Sequence, residues 1–142
     1  MYGILERQFR RYYEMANSQP GITGENLLRL LESRLDNVVW RSGLAATRPQ
    51  ARQLVNHGHF RVNGKKVDIP SYQLKVGDIV TTKERSRELI IIQHAVDTLD
   101  HPIPEWLNVD PSERAVSVTS VPSRAQIDTA INEQMIVELY SK

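Results

Sequence analysis

Over residues 4–16 the apolar side chains Leu5, Phe9, Tyr13 and Ala16 recur at helical spacing, while Arg7, Arg10 and Arg11 share another face. This spacing predicts an amphipathic helix, ended by the turn formers Asn17-Ser18-Gln19-Pro20-Gly21. A second helical stretch starts near Thr23 and carries Leu27, Leu28, Leu31, Leu35, Val38 and Val39. It is expected to bend near Ser33–Asp36 and to stop at Gly43. Thr47-Arg48-Pro49-Gln50 then reads as a helix start. Thr47 can cap a free amide, and Gln50 can reach back from the capping-box position. Pro49 suits the first turn, where no amide partner is lost. Ala51, Leu54 and Val55 are expected to face inward, Arg48 and Arg52 to point outward together, and Gly58 to close the helix.

The period changes from helix to strand at Phe60. Phe60 and Val62 alternate with Arg61, Asn63-Gly64 supplies a two-residue turn, and Lys65-Lys66-Val67 returns. Asn-Gly between alternating residues is a strong hairpin signal. Val76-Gly77-Asp78 predicts another turn and residues 79–83 another strand. Residues 86–99 read as helix, with Leu89, Ile92, Val96 and Leu99 in register, although Ile90-Ile91-Ile92 also suits a strand. His101-Pro102-Ile103-Pro104 breaks the pattern. Residues 106–109 and 115–121 look extended, and 132–140 predicts a last helix with Met135, Ile136 and Leu139 on one side. Trp40 and Trp106 are assigned to the core. The mixture of elements places the chain in the α+β class.

The 142 residues give room for one domain or two small, closely packed ones. No stretch approaches the roughly 20 apolar residues of a membrane span. The first residues are too charged for a secretory signal. The chain has no cysteine, which excludes disulfides and cysteine-ligated zinc and suits a reducing cytosol. Net charge is +1, but the signs are segregated. Residues 1–87 carry 15 basic and 8 acidic side chains, residues 88–142 carry 3 and 9, so +7 stands against −6. Residues 41–87, with 10 basic and 3 acidic side chains, hold the whole positive excess. Such concentration is the electrostatic footprint of a nucleic-acid partner, although chance clustering on a solvated face gives the same arithmetic.

Catalytic patterns find little support. Gly58 to Lys66 superficially matches a phosphate-binding loop, but five residues separate Gly58 and Gly64 instead of four, and no Ser or Thr follows to hold magnesium. His57 and His59 could begin a metal site, yet no third ligand is near in sequence; a capping role and a backbone or phosphate contact fit better. No Gly-x-Ser-x-Gly elbow occurs, and no carboxylate pair can be placed on one cleft. The sequence therefore implies no enzyme and no cofactor. A binding surface is better supported. Arg48 and Arg52 on a capped helix precede Arg61, Lys65 and Lys66 on a hairpin, with Lys75 and Lys83 following. Arginine forks bridge phosphate oxygens and lysines add mobile charge. Such residues grip backbone and shape, which suits A-form RNA. They are expected to converge on one continuous patch.

Ser33-Arg-Leu-Asp-Asn-Val-Val-Trp-Arg-Ser-Gly43, Thr47-Arg-Pro-Gln-Ala-Arg-Gln-Leu-Val-Asn-His-Gly58 and Val62-Asn-Gly-Lys-Lys-Val67 resemble the S-four RNA-binding domain. Tyr2-Gly-Ile-Leu-Glu-Arg-Gln-Phe-Arg-Arg-Tyr-Tyr13, Gly24-Glu-Asn-Leu-Leu28, Leu31-Glu-Ser-Arg-Leu-Asp-Asn37, Ile69-Pro-Ser-Tyr72 and Ile131-Asn-Glu-Gln-Met-Ile-Val-Glu-Leu-Tyr-Ser-Lys142 extend the resemblance to the bacterial-type S-four family of small-subunit ribosomal proteins. The resemblance implies a helical domain from both chain ends, residues 1–32 plus 125–142. This domain packs on an S-four module with a C-terminal extension, residues 33–124, whose small sheet is mostly antiparallel.

It further implies a primary rRNA-binding protein that nucleates small-subunit assembly at an rRNA junction and supports translational accuracy. The implied partners are small-subunit rRNA, ribosomal protein S-five and, in some members, the protein's own mRNA. The implied location is the small ribosomal subunit in the cytoplasm. Carried over residue by residue, the rRNA contacts are Arg48, Arg52, Gln53, His57, Lys65, Lys66, Ser71 and Tyr72. Arg7, Arg10 and Arg11 are the helical domain's share, and Lys75 and Lys83 join from the charge pattern. For Arg29 and Arg34 a solvated surface charge or an intramolecular ion pair is at least as well supported as an RNA contact. Family members usually carry an N-terminal arm of about fifty residues, and this chain is expected to lack it. The family is also usually strongly basic, unlike this chain, and often carries Lys or Arg where Ala115–Val121 is uncharged. The alternative is a free-standing RNA-binding regulator that represses its own mRNA or acts on stalled ribosomes.

Overall fold

The architecture is that of a computed structural model, which describes residues 6–123. The helix expected over 132–140 lies outside the described residues. The first helix, α1 (Glu6–Ser18), packs on α2 (Thr23–Glu32) around a small core of Tyr12, Ala16, Leu27 and Leu31. Asn26, buried, stitches the turn between them. Its side-chain amide donates to the carbonyls of Ala16 and Pro20, each at 3.2 Å, joining Gln19 N–H on the Ala16 carbonyl at the end of α1.

The expected bend after α2 is a complete break. Arg34 is extended (φ −64°, ψ 143°) and α3 (Leu35–Arg41) starts afresh. The cause is a strap formed by residues 70–74. Leu35 N–H donates to Tyr72 O at 2.9 Å and Asp36 N–H to Pro70 O at 3.1 Å, so backbone carbonyls satisfy two free amides of α3 in place of a side-chain cap. Leu74 N–H donates to Ser33 O at 2.9 Å, and the Gln73 amide donates to Leu30 O at 3.0 Å.

Helix α4 (Arg48–Asn56) starts as its sequence indicates. Gln50 N–H donates to Thr47 Oγ1 at 3.2 Å. The reach-back of Gln50 differs by one residue: its Oε1 accepts from Ala46 N–H at 2.6 Å. Gly58 has φ +79° just past the helix end, where glycine is the least strained residue.

Strands β1 (Phe60–Val62), β2 (Lys65–Lys66), β3 (Ile79–Thr82), β4 (Leu107–Asp110) and β5 (Ala115–Val118) form one antiparallel sheet in the order β2-β1-β3-β5-β4. Asn63 (φ 51°) and Gly64 (φ 83°) make the mirror-image turn that matches strand twist. One sheet face, carrying Phe60, Val62, Val80, Val116 and Val118, packs on Leu35, Val38, Val39, Ala51, Leu54 and Val55 of α3 and α4. Trp106 is wholly buried in this core, whereas Trp40 is half-buried at its rim.

The helix expected from residue 86 begins later, as α5 (Ile90–Asp97). Residues Glu84–Ser86 form a single 3-10 turn, and Leu89 N–H closes a second turn on Ser86 O at 3.1 Å. The strand alternative for Ile90-Ile91-Ile92 is not realised. Ile92 is buried, while Ile90 stays 84% exposed.

Candidate nucleic-acid interface

The basic residues sit on three parts of the fold: α4, the β1–β2 end of the sheet, and α1 with the strap. On α4, Arg48 and Arg52 do not point outward together; both turn onto α3. Arg48 Nε donates to Asn37 Oδ1 at 3.1 Å, and its guanidinium carbon lies 4.0 Å from the Trp40 ring centroid. Arg41 also lies over Trp40 at 4.7 Å, and His101 stacks on it at 4.5 Å, so Trp40 is a stacking platform for side chains of this chain. Arg52 Nε sits 3.7 Å from Asp36 Oδ2. Gln53 and His57 on the same helix and its cap are exposed.

Asp36 belongs to a buried network. Arg34 grips it with two bonds of 3.0 Å, from Nε to Oδ1 and from Nη2 to Oδ2. A third arm of Arg34 reaches Tyr12 in α1. Burial by itself disfavours the guanidinium charge, but Asp36 and Tyr12 outweigh it and hold the Arg34 pKa above its ordinary value. Arg41 Nε and Glu32 Oε1 form a second buried pair at 2.7 Å. Arg34 thus serves the fold. Arg29, whose Nε donates to Pro122 O at 3.3 Å, is likewise engaged within the chain.

The second region lies at the β1–β2 end of the sheet. Arg61 is paired in register with Lys66 across the hairpin and with Thr81 in β3. Directly opposed residues share a face, so Arg61 and Lys66 project together from the face away from the core residues Phe60 and Val62. Arg61, Lys83, Glu84 and Arg85 line one open basin of about 400 Å³. Lys66 and Lys83 converge over Gly58. His59 stands beside them, with Nδ1 2.7 Å from Ser86 Oγ. Burial, then His57 and Lys83, push the His59 pKa below its usual value. None of Arg61, Lys66, Lys83 and Arg85 makes an ion pair among the described residues. Lys65, opposite Val62, projects to the other face at the sheet edge.

The third region joins α1 to the strap. Arg11, Gln8, Tyr12 and Met15 meet Ser71 and Gln73 around a shallow cleft of about 210 Å³. Arg7, Arg10 and Arg11 are all exposed, as is Tyr72. Lys75 lies apart, lining a groove with Arg29, Leu30 and Val121.

Comparison with known proteins matches this layout. Residues 33–80 match the S4 domain family, and residues 1–32 match the ribosomal protein S4/S9 N-terminal domain family. The chain is 60% identical over 142 residues to small ribosomal subunit protein uS4 of Mycolicibacterium smegmatis, covering 99% of this chain and 71% of that protein. It is 59% identical to the uS4 proteins of Nocardia farcinica and Rhodococcus erythropolis, with the same coverage.

The chain belongs to the uS4 family of small ribosomal subunit proteins. This is not an enzyme family. In this uS4 chain, sequence reasoning missed Arg85 as a member of the β1–β2 cluster and saw His59 only as a capping residue or a backbone or phosphate contact. Arg85 follows Lys83 and Glu84 in sequence, but only the 3-10 turn brings it beside Arg61. His59 was visible as a histidine flanking Gly58, without its lysine neighbours.

Proposed function

We propose that this chain is a structural constituent of the small ribosomal subunit that grips small-subunit rRNA by its phosphate backbone at a helix junction. The observation that carries this reading is the group Arg61, Lys66, Lys83 and Arg85, gathered without an ion pair among the described residues in a uS4-family chain. Glu84 lines the same basin, but the cations outnumber it, so they repel one another and a polyanion relieves that repulsion. Arg7, Arg10 and Arg11, the last lining one cleft with Ser71, offer a second contact to the RNA together with Tyr72 of the strap. Gln53, His57 and Lys65 add contacts near the hairpin, and Lys75 a peripheral one. Arg48 and Arg52 meet RNA while stacked or paired on α3, which fixes their direction.

In the same reading residues 125–142 complete the helical domain begun by 1–32, and residues 33–124 are the S4 module with its extension. The small Tyr12–Leu31 core supports a helical unit in the first segment, and residues 125–142 lie outside the described residues. The protein binds rRNA early, nucleates subunit assembly, supports decoding accuracy and lies beside ribosomal protein S-five. Its place is the small subunit of a cytoplasmic ribosome, and its own mRNA is a further RNA ligand.

Filter binding to a small-subunit rRNA junction transcript tests the central claim. With about 6–10 phosphate contacts, affinity falls roughly a thousandfold or more between about 50 and about 200 mM salt. A nearly salt-independent affinity would reject a phosphate-dominated interface.

A further inference from the structure

We propose that Gly58 floors a phosphate seat in which Lys66, Lys83, His57 and His59 hold one phosphodiester of the RNA backbone, and that filling this seat takes up a proton. The inference rests on the RNA-binding reading above and names a particular site within it.

Gly58 is buried, with φ +79°, and the side chains that lie over it are lysines from elsewhere in the chain. The position a Cβ would occupy is instead taken by two lysines. Lys66 Cε lies 2.7 Å from it, Lys66 Nζ 3.2 Å and Lys83 Nζ 4.0 Å. Two ammonium groups, one from β2 and one from the residue after β3, therefore approach one spot on the backbone. Any side chain at position 58 would displace Lys66.

Two imidazoles flank the same glycine, with ring centroids 6.3 Å apart at 60°. Neither lysine has an ion-pair partner among the described residues. Titratable and charged neighbours come from every packed element. They are His57 at the end of α4, Arg61 on β1, Lys66 on β2, and Lys83 and Arg85 after β3. Glu84, in the basin shared by Arg61, Lys83 and Arg85, is the acidic neighbour.

A site this rich in cations takes an anion with several oxygens. A phosphodiester on a continuous strand fits, because Arg61 and Arg85 stand in the adjoining basin to meet the next phosphate. The proton follows from the same geometry. His59 directs Nδ1 to Ser86 Oγ, which accepts a hydrogen bond from the charged ring, and this leaves Nε2 to titrate. In the free protein, burial and then His57 and Lys83 hold the His59 pKa below 6.5. A phosphate offsets the repulsion and raises that pKa. The bound form then holds more proton than the free form at mildly acidic pH. Affinity is therefore greatest at low pH and falls as pH rises through the bound-state pKa.

The full chain is tested in two ways. In the first, histidine-ring NMR titrations are run in chloride and in inorganic phosphate at equal ionic strength. We expect phosphate to shift the His59 resonances saturably and raise its pKa, and Lys66→Ala with Lys83→Ala to abolish the response. Equal titration curves in the two salts, or an unchanged response in the double variant, overturn the seat. In the second, binding of the rRNA junction transcript is followed between about pH 5.5 and about pH 7.5. We expect roughly tenfold tighter binding at the acidic end for each unit the pKa rises, with a flatter profile for His59→Gln at unchanged melting temperature. Wild-type binding with a flat profile removes RNA from the seat while leaving the ribosomal reading intact. Absence of binding at every pH instead overturns the ribosomal reading, and the phosphate titration still decides whether the seat exists.

Discussion

Arg34 Nη1 donates to the Tyr12 hydroxyl across 3.1 Å, tying the break before α3 to the first helix. The same guanidinium is held by Asp36, so one buried cation spans α1 and the S4 module. Tyr12→Phe removes only the hydroxyl and leaves one charged donor without its acceptor. The expected cost is about 1.5–3 kcal/mol, measured by urea unfolding. A loss well below that range would mean that water replaces the hydroxyl at no cost.

Asp36 answers for more than Tyr12 does. It accepts both Arg34 bonds, accepts from Asn37 N–H at 2.7 Å and faces Arg52. Asp36→Ala strands Arg34, whose side chain is only 3% exposed, as an uncompensated buried charge. About 3–5 kcal/mol of stability is expected to disappear. With Tyr12→Phe the effects should be non-additive, because both substitutions act on one guanidinium. Strict additivity in the double-mutant cycle would show that the two contacts are independent.

Arg48 separates a role in RNA contact, which its sequence position suggests, from a role in the fold, which its partners on α3 add. An arginine serving RNA alone could become alanine without lowering the melting temperature. Here Arg48→Ala removes a hydrogen bond to Asn37 and a stack on Trp40. Calorimetry is expected to show a loss of about 1–2 kcal/mol. Arg48→Lys recovers little of it, since an ammonium lacks the planar fork. An unchanged melting temperature for Arg48→Ala would return that arginine to a purely RNA-directed role.

What the sequence made legible was local. Thr47 capping Gln50, Asn63-Gly64 turning the hairpin and Gly58 ending α4 each depend on residues a few positions apart. The alternation around Arg61 likewise put Phe60 and Val62 in the core. What escaped depended on partners far along the chain. The direction of Arg48 and Arg52 is set by Asn37, Trp40 and Asp36 on another helix, which periodicity within α4 does not reveal. The helix expected from residue 86 starts late where Ser86 meets His59, 27 positions earlier, and sits in two successive turns. Neighbours in sequence also part where a strand alternates its faces. Lys65 and Lys66, adjacent in sequence, leave the hairpin on opposite sides.

Arg61 and Arg85 give the cleanest measure of RNA binding, because both are exposed and neither makes a hydrogen bond or ion pair through its side chain among the described residues. Nothing in the fold resists their removal. Arg61→Ala with Arg85→Ala is therefore expected to leave the melting temperature within about 0.5 kcal/mol equivalent of the parent. Binding to the rRNA junction should weaken at every salt concentration. The slope of log affinity against log salt should become shallower by roughly 1 for each phosphate that these arginines no longer neutralise. Arg48→Ala supplies the contrast, with stability reduced whether or not RNA is present. If the Arg61/Arg85 variant keeps the parent's slope, the β1–β2 basin does not face the phosphates, and the burden of binding shifts to the arginines of α1.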